Sequence, residues 1–129
     1  MTHTRQRGRW DCAVAVAATI ADLPYLAAAE HAPKIAKGVW RRGMRQYLED
    51  VTGRQWRLLR HRPMTVKSSP CARPRVLLIA DPSAPSRLHW IAVANCMAFD
   101  PEADAPAKIS EYPRRGWRVV GSVVRSRRE

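Results

Sequence analysis

A cysteine, a histidine and an aspartate are placed along this sequence where they could work together as nucleophile, base and orienter: Cys12, His89 and Asp100. Cys12 opens an Ala/Val-rich stretch directly after Asp11, a residue type that caps helices. A thiol in the first turn of a helix meets the positive end of the helix dipole and unsatisfied backbone N–H groups, and both favour thiolate. His89 begins one apolar segment and Asp100 ends the next, with Asn95 between them as a turn residue. A hairpin turning there sets His89 and Asp100 at the same open end. The carboxylate can then accept from one ring nitrogen while the other faces the thiol. Gln6 lies on the arm before Cys12, from which its carboxamide N–H can fold back and, with the backbone N–H of Cys12, stabilise an oxyanion.

The elements that must position these groups follow from periodicity and punctuation. Cys12 to Ala21 is apolar on every face, which predicts a central, buried helix stopped by Pro24. Tyr25 to His31 predicts a short second helix. From Lys34 to Val51 the apolar residues Val39, Trp40, Met44, Tyr47, Leu48 and Val51 recur at helical spacing, with Thr52-Gly53 as the stop. Its polar face carries Lys37, Arg41, Arg42 and Arg45, the densest basic cluster. After Gly53 the pattern turns to strands: Gln55–Arg60, a buried Arg75–Asp81, the hairpin His89–Ala94 and Cys96–Phe99, and a last strand Trp117–Arg125. Arg62–Arg73, Pro82–Ser86 and Pro101–Pro106 read as loops or turns. Helices first and an antiparallel sheet second is an α+β order. At 129 residues the chain is one domain, with a helical part over about 11–52 and a sheet part over about 54–125.

With 23 basic residues against 11 acidic ones, the net charge is +12, and 19 of the basic residues are arginine. Such a balance attracts acidic partners, nucleic acid included, although arginines spread along a chain need not form one patch. The longest apolar run is too short to span a bilayer and has no secretory cleavage pattern, so the expectation is a cytoplasmic protein without membrane contact. Three cysteines without regular spacing give no disulfide framework, and Cys71 and Cys96 read as an exposed bystander and a packing residue. No CxxC pair is present, and His61 and His89 add no recognised ligand spacing. Neither a metal nor a cofactor is expected.

Taken together, these residues resemble the papain-like cysteine peptidases, closest to the small bacterial branch that processes bacteriocins as peptidase domains of ABC exporters. The likeness rests on Gln6-Arg-Gly-Arg-Trp-Asp11-Cys12-Ala-Val-Ala, on His89-Trp90-Ile91-Ala92-Val93, and on Phe99-Asp100-Pro101. Where that family usually has Gly after the nucleophile, this chain has Ala13, which would narrow the approach of a substrate backbone. The resemblance implies a papain-like fold: a buried nucleophile helix and one or two further helices packed on an antiparallel sheet. It also implies Cys12 as nucleophile, His89 as base and acid, Asp100 as orienter and Gln6 as oxyanion donor.

The expected activity is therefore a thiol hydrolase that cleaves a peptide or isopeptide bond through an acyl-enzyme, with acyl transfer to an amine as a related outcome. Trp10 on the arm and Trp90 beside the histidine join Ala13 as candidate substrate contacts. The basic cluster of Arg41, Arg42 and Arg45 would favour an acidic peptide or protein, and nucleic acid is the less favoured partner. The competing reading is a small basic effector or binding module, holding a host protein or nucleic acid on the same scaffold with little or no catalysis. Salt dependence and the behaviour of Cys12→Ala separate the two.

Overall fold

The Ala/Val run beginning at Cys12 forms the first helix, α1 (Cys12–Ala21), in the computed structural model, which describes residues 1–5, 12–31, 41–59 and 62–126. Small side chains all round let α1 sink into the core, where Ala13, Ala15, Val16, Ala17, Ala18 and Thr19 are buried. It ends in a Schellman motif one step before the expected stop at Pro24. Asp22 takes a φ of 53°, and the Leu23 N–H donates to the Ala18 carbonyl at 3.0 Å. Helix α2 (Tyr25–Glu30) follows directly.

Helix α3 (Arg41–Thr52) buries Met44, Tyr47 and Leu48, the face its periodicity predicts. The earlier part of that expected helix, including Val39 and Trp40, lies outside the described residues. Gly53 closes α3 at a φ of 68°, a left-handed conformation that suits glycine, and its N–H donates to the Glu49 carbonyl at 2.9 Å. The buried Tyr47 hydroxyl donates to the Ala28 carbonyl at 2.7 Å and so ties α3 to α2.

Seven strands complete the described fold: β1 (Trp56–Leu59), β2 (Met64–Thr65), β3 (Arg75–Asp81), β4 (Ala84–Ala94), β5 (Met97–Phe99), β6 (Ala107–Lys108) and β7 (Arg118–Arg125). Every pairing is antiparallel, in the order β1-β7-β3-β4-β5-β6, with β2 also on β7. Among the described residues this is an α+β architecture of three α-helices and one sheet. No described helix is long and apolar enough to cross a membrane.

Alternation along the strands divides the core in two. Trp56, Val76, Leu78, Trp90, Ala92 and Val123 face α1 and α3. On the other face, Leu77, Ile79, Ile91, Val93, Ala98 and Val119 pack beneath the 3₁₀ turns Val66–Ser68 and Ile109–Glu111 and beneath Tyr112.

Several local expectations are corrected. The stretch read as a loop before Arg73 contains β2 and a 3₁₀ turn. The turn expected over Pro82–Ser86 is shorter, because Asp81 Oδ1 accepts from both the N–H and the hydroxyl of Ser83, and β4 resumes at Ala84. Cys96 belongs to the hairpin turn rather than to β5. It shares positive φ with Asn95, at 57° and 52°, the signature of a type I′ turn. Cys71 and Cys96 form a disulfide, so neither is a bystander. Odd cysteine count misled here: the pair closes only once the hairpin turn folds back onto the segment before β3, where the Cys96 N–H donates to the Cys71 carbonyl at 2.7 Å.

Candidate active site

Cys12, the first residue of α1, is the one free cysteine and is half-exposed. His89 sits in β4 opposite Ile79 of β3, and Asp100 follows the end of β5. The β4–β5 register pairs Ala92 with Phe99, which sets Asp100 diagonally across from His89 on the same face. The ring Nε2 donates to Asp100 Oδ1 at 2.6 Å, and both side chains are buried, at 5% and 4% exposure. Cys12 lies beside the ring, and its hydrogen bonding and negative charge are among the influences that raise the imidazole. With Nε2 taken by Asp100, Nδ1 is the nitrogen through which the ring can meet the sulfur, and Glu102 Oε1 lies 3.3 Å from the same nitrogen. The three groups read from the sequence converge.

The electrostatics follow from this chain of contacts. Burial of the ring works against its charge, but the hydrogen bonds and negative charge of Asp100 and Cys12 outweigh it and raise His89 to about 9. Burial would likewise push Asp100 up. It is instead held well below the usual carboxylate range by His89, by the Tyr112 hydroxyl and by the Glu102 backbone N–H. Tyr112 Oη donates to Oδ2 at 2.6 Å, Arg114 Nη1 donates to the same oxygen at 3.0 Å, and the Glu102 N–H reaches Oδ1 at 2.9 Å. A carboxylate with this many donors cannot rotate, so it fixes both the plane and the tautomer of the ring.

Three members of the site have no counterpart in the sequence reading. Tyr112 and Arg114 return to Asp100 from the segment after Ile109–Glu111, and no spacing rule links them to a residue in a different turn. Glu102 brings Oε1 to 3.3 Å from His89 Nδ1 while Arg114 holds its carboxylate. Arg114 also stacks over the Trp117 ring, 4.7 Å from its centroid.

Other candidates are placed differently. Trp90 is 4% exposed and packs in the helix-facing core with Ala13, so neither presents a side chain to a substrate cleft. Strand alternation decides this: Trp90 points to the face opposite that of its neighbour His89. Gln6 and Trp10 lie outside the described residues, as do the side chains of Arg41 and Arg42. Arg45 donates to Glu49 at 2.6 Å, an i,i+4 pair that neutralises its charge. Among the described residues, no cluster of three or more His, Cys, Asp or Glu could hold a metal ion. Comparison of the sequence with protein-family models and with curated proteins finds no match.

Proposed function

We propose that this chain is a papain-like thiol hydrolase acting on a peptide or isopeptide bond. The observation that carries the reading is the continuous chain from thiol to imidazole to buried carboxylate, with Nε2 held at 2.6 Å by Asp100. An imidazolium next to a sulfur is the arrangement that stabilises a thiolate and makes it a nucleophile.

In the reaction, the Cys12 proton resides on His89 and the sulfur attacks the substrate carbonyl carbon. The resulting oxyanion is stabilised by the backbone N–H of Cys12 at the start of α1, and the papain-like resemblance implies Gln6 as the second donor. His89 then gives its proton to the departing amine, and the acyl group stays on sulfur as a thioester. A water molecule, deprotonated by His89, attacks the thioester and releases the acid. Asp100 holds its charge throughout and steadies the imidazolium. An added amine that intercepts the thioester would divert the same chemistry to acyl transfer.

The test is acylation by p-nitrophenyl acetate, followed by stopped-flow absorbance and intact mass. A burst of p-nitrophenolate is expected, together with one acetyl group mapped to Cys12. Cys12→Ala should remove both. An equal burst from Cys12→Ala, or acetylation confined to lysines, would overturn the proposal.

A further inference from the structure

The segment ahead of α1 crosses from that helix to the turn that follows Asp100. On one side the Thr2 N–H donates to Asp22 Oδ1 at 2.6 Å and the Thr4 N–H to Thr19 Oγ1 at 3.0 Å. Thr19 is buried in α1 and its hydroxyl donates on to the Ala15 carbonyl at 3.0 Å, so this anchor sits on the helix that begins with Cys12. On the other side His3 Nε2 donates to the Ala103 carbonyl at 2.8 Å, and the His3 ring lies against Phe99, with centroids 6.2 Å apart. A carbonyl only accepts, so the proton is on Nε2, while Nδ1 is buried with no hydrogen-bond partner. Arg5 also reaches Asp104, but both of those side chains are largely exposed.

What His3 touches is the turn that fixes the carboxylate. Asp100-Pro101-Glu102-Ala103 carries favoured turn residues at its first two positions, and the Ala103 N–H closes it on the Asp100 carbonyl at 2.9 Å. Inside it the Glu102 N–H donates to Asp100 Oδ1 at 2.9 Å, the oxygen that also holds His89 Nε2. A surface turn closed by one backbone bond opens readily unless something outside holds it. His3 holds it from the Ala103 carbonyl and from the Phe99 ring at once. The exposed Arg5–Asp104 pair adds little. We propose that His3 is a positioning residue, clamping the Asp100 turn to α1 so that carboxylate, imidazole and thiol stay aligned. The proposal rests on the thiol-hydrolase reading, and in it His3 acts through Asp100 without touching the reacting atoms.

His3→Phe and His3→Gln in the full chain test the proposal. Phe keeps a ring against Phe99 and removes the orphaned Nδ1 together with the donor, so the two changes offset in overall stability. Gln restores an N–H for the Ala103 carbonyl. Hydrogen exchange followed by NMR should show the Glu102 and Ala103 amides of His3→Phe exchanging at least about threefold faster, with the core amides of Ile79 and Ile91 unchanged. Iodoacetamide alkylation of Cys12 across pH should show its acid limb moved up by about half a pH unit, about a threefold lower rate there. His3→Gln should return both readouts to within about twofold of the parent, and Arg5→Gln should leave both within about twofold. A lower urea midpoint with an unmoved acid limb would mark His3 as structural only and overturn the proposal, as would effects of Arg5→Gln equal to those of His3→Phe. Parent alkylation no faster than that of His89→Ala would end the thiol-hydrolase reading and the role of His3 in it together. A faster parent with His3→Phe unchanged would overturn the role of His3 alone.

Discussion

Tyr112 and His89 grip the two oxygens of Asp100 from opposite sides, each at 2.6 Å. One contact orients the ring and the other keeps the carboxylate from turning to water. Tyr112→Phe removes a buried donor while Arg114 remains on the same oxygen. We expect a loss of about 1.5–3 kcal/mol in chemical denaturation, typical of a hydrogen bond to a charged group. Alkylation of Cys12 by iodoacetamide should slow only about threefold, because Oδ1 still holds Nε2.

Removing the carboxylate charge acts more directly on the ring. In Asp100→Asn, His89 loses the partner that raises it and returns toward its ordinary value near 6.5. Less imidazolium then stands beside the sulfur at neutral pH. Alkylation of Cys12 at pH 7, followed by peptide mass mapping, should fall about tenfold or more, as one pKa unit of lost interaction corresponds to 1.4 kcal/mol. His89→Ala should fall at least as far, and an unchanged rate in both variants would break the proposed chain of contacts.

The same shifts set a pH dependence of stability. His89 is raised to about 9 in the folded chain, so its contribution is complete below about 6.5 and is lost as pH rises through 9. Asp100 is depressed, so its contribution is present above about 3.9 and is lost as pH falls toward its folded value. Stability should therefore be greatest between about pH 4 and 6.5 and decline by roughly 2–3 kcal/mol towards pH 10. Urea unfolding across pH would show the decline in the parent and a flatter profile in His89→Ala.

The disulfide makes a prediction of a different kind. Closing a loop with a sequence separation of 25 restricts the unfolded chain, and reduction should cost about 3 kcal/mol. Thiol titration of the native oxidised protein should count one thiol, at Cys12, and three after reduction and unfolding. A native count of three would remove the cross-link.

Local rules made the elements of the candidate site legible. The Ala/Val run of α1, the apolar run of β3 and the turn residue Asn95 each obey short-range constraints, and together they set His89 against Asp100 with Cys12 beside the ring. What stayed hidden depends on register and on chain return. Tyr112, Arg114 and Glu102 meet His89 and Asp100 only after a loop, β6 and a 3₁₀ turn have folded back. Adjacency to His89 suggests Trp90 as a substrate contact, but adjacent residues in a strand face opposite ways, and the helices cover its face. The Cys71–Cys96 pair arises the same way, from neighbours across a turn rather than along the chain.

Glu102 offers the sharpest discrimination between burial and proximity. Its Oε1 lies 3.3 Å from His89 Nδ1, yet its side chain is 41% exposed and Arg114 neutralises it at 3.3 Å. An exposed, already paired carboxylate interacts weakly, at about 0–1 kcal/mol, whereas Asp100 acts from a site shielded from solvent. Glu102→Gln should therefore change the pH 7 alkylation rate of Cys12 by less than about fivefold in either direction, well short of the effect of Asp100→Asn. The opposing contributions have a physical basis: loss of the charge weakens the imidazolium, while loss of a competitor leaves Nδ1 to the sulfur. If Glu102→Gln matched Asp100→Asn in rate and in pH profile, Glu102 rather than Asp100 would be the carboxylate that governs the ring.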